Sequence, residues 1–76
     1  MKNLVGFLVK SLVNHPDDVK IADRLDGNNI LLNITVNSDD LGKVIGKGGK
    51  VANSIRTLAR SVARTKNKNV TIKFGE

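Results

Sequence analysis

Val44-Ile45-Gly46-Lys47-Gly48-Gly49-Lys50-Val51 is the stretch on which the fold of this 76-residue chain turns. Ahead of it, Leu41, Val44 and Ile45 recur at helical spacing. Behind it, Val51, Ile55, Leu58 and Val62 repeat at intervals of four, three and four, flanked by Ala52, Ala59 and Ala63. That spacing predicts a long amphipathic helix over 50–65, with the large residues as its buried stripe. Between the two helices stand three glycines in four positions. Glycine adopts backbone angles that other residues resist, and it puts no side chain between the main chain and an approaching group. The second helix starts at this bend, so backbone N–H groups and the positive end of its dipole point there. Lys43, Lys47 and Lys50 surround the bend with cations. These are the parts of a clamp for a phosphate backbone.

Working outward, the residues ahead of the bend give three further elements. Residues 3–14 are predicted to be helical: Leu4, Leu8 and Leu12 run beside Val5, Val9 and Val13 until Pro16 stops the helix. A strand is expected over 19–25, from Val19, Ile21 and Leu25, although Asp23 interrupts its apolar face. Asp26-Gly27-Asn28-Asn29 then reads as a hairpin turn. The next strand, 30–36, alternates Ile30, Leu32, Ile34 and Val36 with Asn33 and Thr35. Ser38 is the expected N-cap of the short helix, with Asp39 and Asp40 at the positive end of its dipole. Beyond the long helix, Val70, Ile72 and Phe74 alternate with Thr71 and Lys73 in a last strand over 69–74. Both phenylalanines, Phe7 and Phe74, are expected in the core.

The order helix-strand-strand-helix-helix-strand predicts an α+β two-layer domain: a three-stranded mixed sheet covered on one face by three helices. The first two strands are antiparallel, and the last returns by a right-handed crossover parallel to the second. One domain over 1–76 is expected, with a core of about 17–75 preceded by the N-terminal helix.

Charge is unevenly placed. Residues 1–40 hold four Lys or Arg against six Asp, whereas residues 41–75 hold nine Lys or Arg and no acid. Such segregation points to a polyanionic partner. On the long helix Arg56, Arg60 and Arg64 recur every four residues as a ridge, with Asn53 and Thr57 beside them. No acid on that helix can pair with the ridge, so as a mere solvated face it gains nothing. With no cysteine and one histidine, His15, no metal or cofactor site is expected. No apolar run is long enough to span a membrane, and a cytoplasmic location is expected. Asp17-Asp18 and Asp39-Asp40 suit turn and helix starts better than acid–base work. The glycine run also lacks the P-loop spacing. An enzyme acting on a small-molecule substrate is therefore not expected.

Val44 to Val51 between two helices resembles the signature of the KH domain, whose GXXG loop clamps about four nucleotides. The element order resembles the type II, bacterial arrangement, and the likeness covers almost the whole chain. The resemblance implies single-stranded RNA or DNA lying in a groove. One wall would run from Lys43 to Arg56 and the other from Asp26 to Ile34. The RNA-binding residues it implies are Gly46, Lys47, Gly48 and Gly49 with Lys43, Val44, Ile45, Lys50, Val51, Asn53, Arg56 and, further along, Arg60. Val44, Ile45, Val51 and Ile55 would supply its apolar lining. The same resemblance implies an RNA chaperone or post-transcriptional regulator, acting as a homodimer or with a larger KH-containing protein, with effects on cell elongation and envelope homeostasis.

With only two aromatics, both assigned to the core, base stacking on rings contributes little. Binding by one domain should be weak and salt-sensitive, and a second KH surface would raise affinity through effective concentration. Two other readings stay open. A helix-turn-helix DNA-binding protein would also have a basic second helix after a turn. An interaction subunit could instead turn the basic face to an acidic protein.

Overall fold

The computed structural model describes all 76 residues. Three helices, α1 (Lys2–Leu12), α2 (Leu41–Ile45) and α3 (Lys50–Arg64), lie on one face of a three-stranded sheet of β1 (Lys20–Asp26), β2 (Asn29–Thr35) and β3 (Asn69–Gly75). The sheet order is β1-β2-β3. β1 and β2 are antiparallel through the turn at Gly27, and β2 and β3 are parallel. This is the expected α+β arrangement, with element ends shifted by one or two residues.

The core forms where the alternation of β2 meets the helices. Leu32, Ile34 and Val36 are buried together with Val70 and Ile72 of β3, Val5 and Val9 of α1, and Val44 of α2. Gly6 lets α1 approach the sheet closely, since a Cβ there would lie 3.3 Å from Ile21 Cδ1.

Three expectations are corrected. The buried line of α3 is Ala52, Ile55, Ala59 and Ala63, while Leu58 is 43% exposed. The helix sits so close to the sheet that only small residues fit along most of the contact. Phe7 lies outside the core, 70% exposed on α1, and Phe74 is half-buried. The first turn ahead of α2 is capped by Asn37, whose side-chain Oδ1 accepts from Asp39 N–H at 2.9 Å, and not by Ser38.

Asp40 takes a different part from the one its sequence position suggests. It is wholly buried, and its carboxylate accepts the backbone N–H of Asn14 at 3.0 Å and of His15 at 2.9 Å. It therefore ties the exit of α1 to the start of α2. Burial alone works against its charge, but the two backbone donors, with His15 and Lys43 nearby, hold the carboxyl below its ordinary value.

Candidate nucleic-acid interface

The bend between α2 and α3 has positive φ at all three glycines: 77° at Gly46, 65° at Gly48 and 80° at Gly49. Each is there for its own reason. A Cβ on Gly46 would fall 2.4 Å from Val51 Cγ2 and 2.9 Å from Val51 N, so the chain crosses itself too closely for any side chain. A Cβ on Gly48 would meet nothing within 4 Å. Gly48 is thus the point where the backbone is bare to the outside.

The amides of the bend divide in two. Gly46 N–H donates to Gly42 O, Gly49 N–H to Gly46 O and Lys50 N–H to Lys47 O. Lys47 and Gly48 N–H have no partner within the molecule. Two adjacent free donors, followed by the positive end of a 15-residue helix, suit an anionic oxygen. The free amides are therefore at 47 and 48, a narrower set than the whole bend.

From the bend a continuous wall runs to the sheet. Asn53 lies below Gly49, where a Cβ would come 3.8 Å from its Nδ2. Asn53 Oδ1 accepts from Arg56 Nη1 at 3.1 Å. Arg56 Nε donates to Ile72 O of β3 at 3.4 Å, and its guanidinium lies over the Phe74 ring, 5.4 Å from the centroid. Arg60 is exposed one turn further on. Each step of four advances the helix by 40°, so the ridge climbs away from β3 and Arg64 stands furthest out.

Other site residues lie apart from this wall. Val44 is wholly buried and holds α2 to the core, so it lines no groove. Ile55 is likewise buried and Ile45 half-buried. Lys50 and Val51 line a cleft on the opposite side of α3, between it and Leu8, Ser11 and Leu12 of α1. Lys43 is half-exposed, with Nζ 3.9 Å from Asp40 Oδ1.

The opposite wall also needs correction. β2 is the central strand, so it cannot border a groove along α3; the edge strand β3 does so, through Ile72 and Phe74. The hairpin at Asp26–Asn29 pairs with Asn69 at the far end of β3, beside the end of α3 and away from the bend. Nothing in the alternation of β3, which reads as a core strand, signals that Arg56 reaches the Ile72 carbonyl and the Phe74 ring.

The family model described as KhpA/KhpB, KH domain, matches residues 2–74. The chain is 42% identical over 74 residues to the RNA-binding protein KhpA of Clostridium perfringens, covering 97% of this chain and 99% of that protein. It is 38% identical over 76 residues to the RNA-binding protein KhpA of Chlamydia muridarum, covering 100% and 97%. Among solved structures it is similar to Era in complex with MgGDPNP and nucleotides 1506–1542 of 16S ribosomal RNA, with a TM-score of 0.63 at 17% identity. That match takes in 95% of this chain but only 28% of the Era chain, and what the two share is the fold.

Proposed function

The chain belongs to the KhpA/KhpB family of KH domains, and on that premise we propose that it binds single-stranded RNA, clamping the sugar-phosphate backbone at Gly46-Lys47-Gly48-Gly49. The observation that carries this reading is the pair of unpartnered amides at Lys47 and Gly48, with open space where a Gly48 side chain would stand. A phosphate seated there lies at the head of the wall formed by Asn53, Arg56 and Phe74. Lys43, Lys47, Lys50 and Arg60 add positive potential around it.

A helix-turn-helix reading has less support. α2 has only five residues, and α3 rests on β3 through Arg56 instead of projecting free. One such domain makes few contacts, so useful affinity calls for a second KH surface. That surface is a second copy of the chain or a larger KH-containing protein of the KhpB kind. The role that follows is a cytoplasmic RNA chaperone or post-transcriptional regulator, with consequences for cell elongation and envelope homeostasis.

The test is the double variant K47D/G48D. Aspartate tolerates positive φ better than most residues, so the far-UV circular dichroism should stay as in the wild type. Affinity for a uridine octamer should fall at least roughly tenfold, because two like charges now face the phosphate and one bare backbone site is filled. Wild-type affinity in that variant defeats the assignment of the clamp.

A further inference from the structure

Phe7 is the most exposed large apolar side chain of the molecule, 70% open to solvent on α1, and Leu25 of β1 follows at 61%. Single exposed apolar residues are ordinary on a protein surface, but these two border its two largest hollows. One, of about 600 Å³, lies between α1 and the start of β1, with Gly6, Val19 and Ile21 beside Phe7. The other, of about 500 Å³, continues along the same helix and strand to Leu25. Both take in Lys2 and Asn3, so together they form one groove along the β1 edge of the sheet. Its charge is one-sided. Lys10 and Lys20 line the part that holds Phe7, and Arg24 and Lys68 line the part that holds Leu25. The one carboxylate in the lining, Asp23, pairs with Lys2 at 3.9 Å. None of the other four cations has an acidic partner within salt-bridge distance.

We propose that this groove is a second contact for single-stranded RNA, in which Phe7 stacks on a base and the lysines beside it meet the flanking phosphates. The inference takes the class of partner from the RNA-binding reading above, but not the site. The clamp and its wall border β3, whereas the groove borders β1, the opposite edge of the sheet. A single strand alternates flat, largely apolar bases with anionic phosphates. Isolated apolar side chains set among unpaired cations repeat that alternation, and stacking on a ring tolerates any base. The centre of a protein interface is instead a more apolar patch depleted of charge, whereas cations stand beside both Phe7 and Leu25 here. Sequence alone puts both rings in the core; the exposure of Phe7 restores a stacking surface at a place remote from the glycine bend. With a contact on each edge, one chain can hold two RNA segments at once.

The test is made with the clamp disabled. The K47D/G48D chain is titrated with an adenosine octamer and followed through its backbone amide and Phe7 ring resonances. Shifts should gather at residues 2–10 and 20–25, with the Phe7 ring protons moving upfield under a base. Measured by fluorescence anisotropy, F7A in that background should weaken binding of the octamer by roughly five- to a hundredfold, the range for one stacked base. F7L, which keeps apolar bulk without a ring, should do the same, and K10E/K20E should weaken binding by removing phosphate contacts. These variants alter exposed side chains only, so far-UV circular dichroism should be unchanged. Groove resonances that do not move, or affinities that F7A and K10E/K20E leave within about twofold of the K47D/G48D parent, would overturn the proposal. So would F7L binding as tightly as that parent, since the ring would then have no part. If an oligoglutamate peptide shifts the groove resonances and the octamer does not, the surface docks an acidic protein and the proposal fails. The clamp is judged separately: were that assignment wrong, K47D/G48D would bind like the wild type, and F7A would still weaken binding.

Discussion

A buried carboxylate close to the proposed clamp invites the question of what it holds. Asp40 accepts the amides of Asn14 and His15 and stands 3.9 Å from Lys43 Nζ, so one side chain fixes the exit of α1, the start of α2 and a cation near the bend. Although desolvation opposes its charge, the two amide donors prevail and its pKa is depressed below 3.8 in the folded state. The unfolded chain therefore takes up this proton at a higher pH than the folded one. Stability from Asp40 is complete above the ordinary value and drains away as pH falls through the depressed folded value. D40N keeps the shape but presents one acceptor oxygen where there were two, and it has no charge to lose. It should melt several degrees below the wild type at pH 6, and the gap should narrow as pH falls through the depressed carboxyl value, as thermal scans into the acid range would show. A gap that stays constant with pH would mean the charge is immaterial and only the shape counts. Nothing in the local sequence distinguishes this role from a helix cap. The partners lie 26 and 25 residues away, and a contact of that range leaves no periodic trace.

At the scale of elements, α3 shows both what its sequence declares and what it conceals. Its existence follows from the repeat of apolar residues, just as β2 follows from the alternation of Leu32, Ile34 and Val36, all three of which are buried. Which side of the helix touches the sheet is less legible. Counting large apolar residues points to Leu58, yet the contact line runs through Ala52, Ala59 and Ala63, each 2% exposed or less. Periodicity gives the width of an apolar stripe, whereas the separation of helix and sheet decides which part of it is filled by small residues. The same gap explains the groove. Arg56 could be assigned to the basic ridge from spacing alone, but its seat on Ile72 and Phe74, 16 and 18 positions onward, depends on β3 lying at the sheet edge. The packing of α3 predicts an inversion of the usual order of cost. A59L, a small-to-large change at a filled contact, should destabilise the domain by about 1–3 kcal/mol. L58A should cost less than about 1 kcal/mol because Leu58 already meets solvent. Urea unfolding of both variants checks the order, and a larger loss for L58A would show that Leu58 is covered in solution.

In the whole molecule the charge segregation along the chain is only partly carried into space. Sheet order puts β1, with Asp23 and Asp26, at one edge and β3, with Lys73, at the other, while Lys68 lines a pocket with Asp23 and Arg24. Of the nine cations in residues 41–75, only Lys43 has an acidic partner within salt-bridge distance. The remaining eight have no acidic partner, and wherever they approach one another repulsion costs stability unless a polyanion supplies the missing charge. Not all eight can meet the same strand, since Lys50 faces the α1 cleft and Arg64 climbs away from β3. On the proposed reading, the bend, Lys47 and Arg60 leave about three phosphate contacts for a short single strand. At about 0.7 released counterions per contact, log Kobs against log salt should fall with a slope of roughly −2. Arg60 is exposed and makes no salt bridge within the protein, so R60A should leave the fold intact and make the slope shallower by about 0.7. If Arg60 merely contributes to a diffuse field, the same variant would lower affinity at low salt and leave the slope where it was. A wild-type slope as steep as all eight uncompensated cations would produce, roughly −6, would require RNA to reach well beyond the wall, around the end of α3 to Lys66 and Lys68.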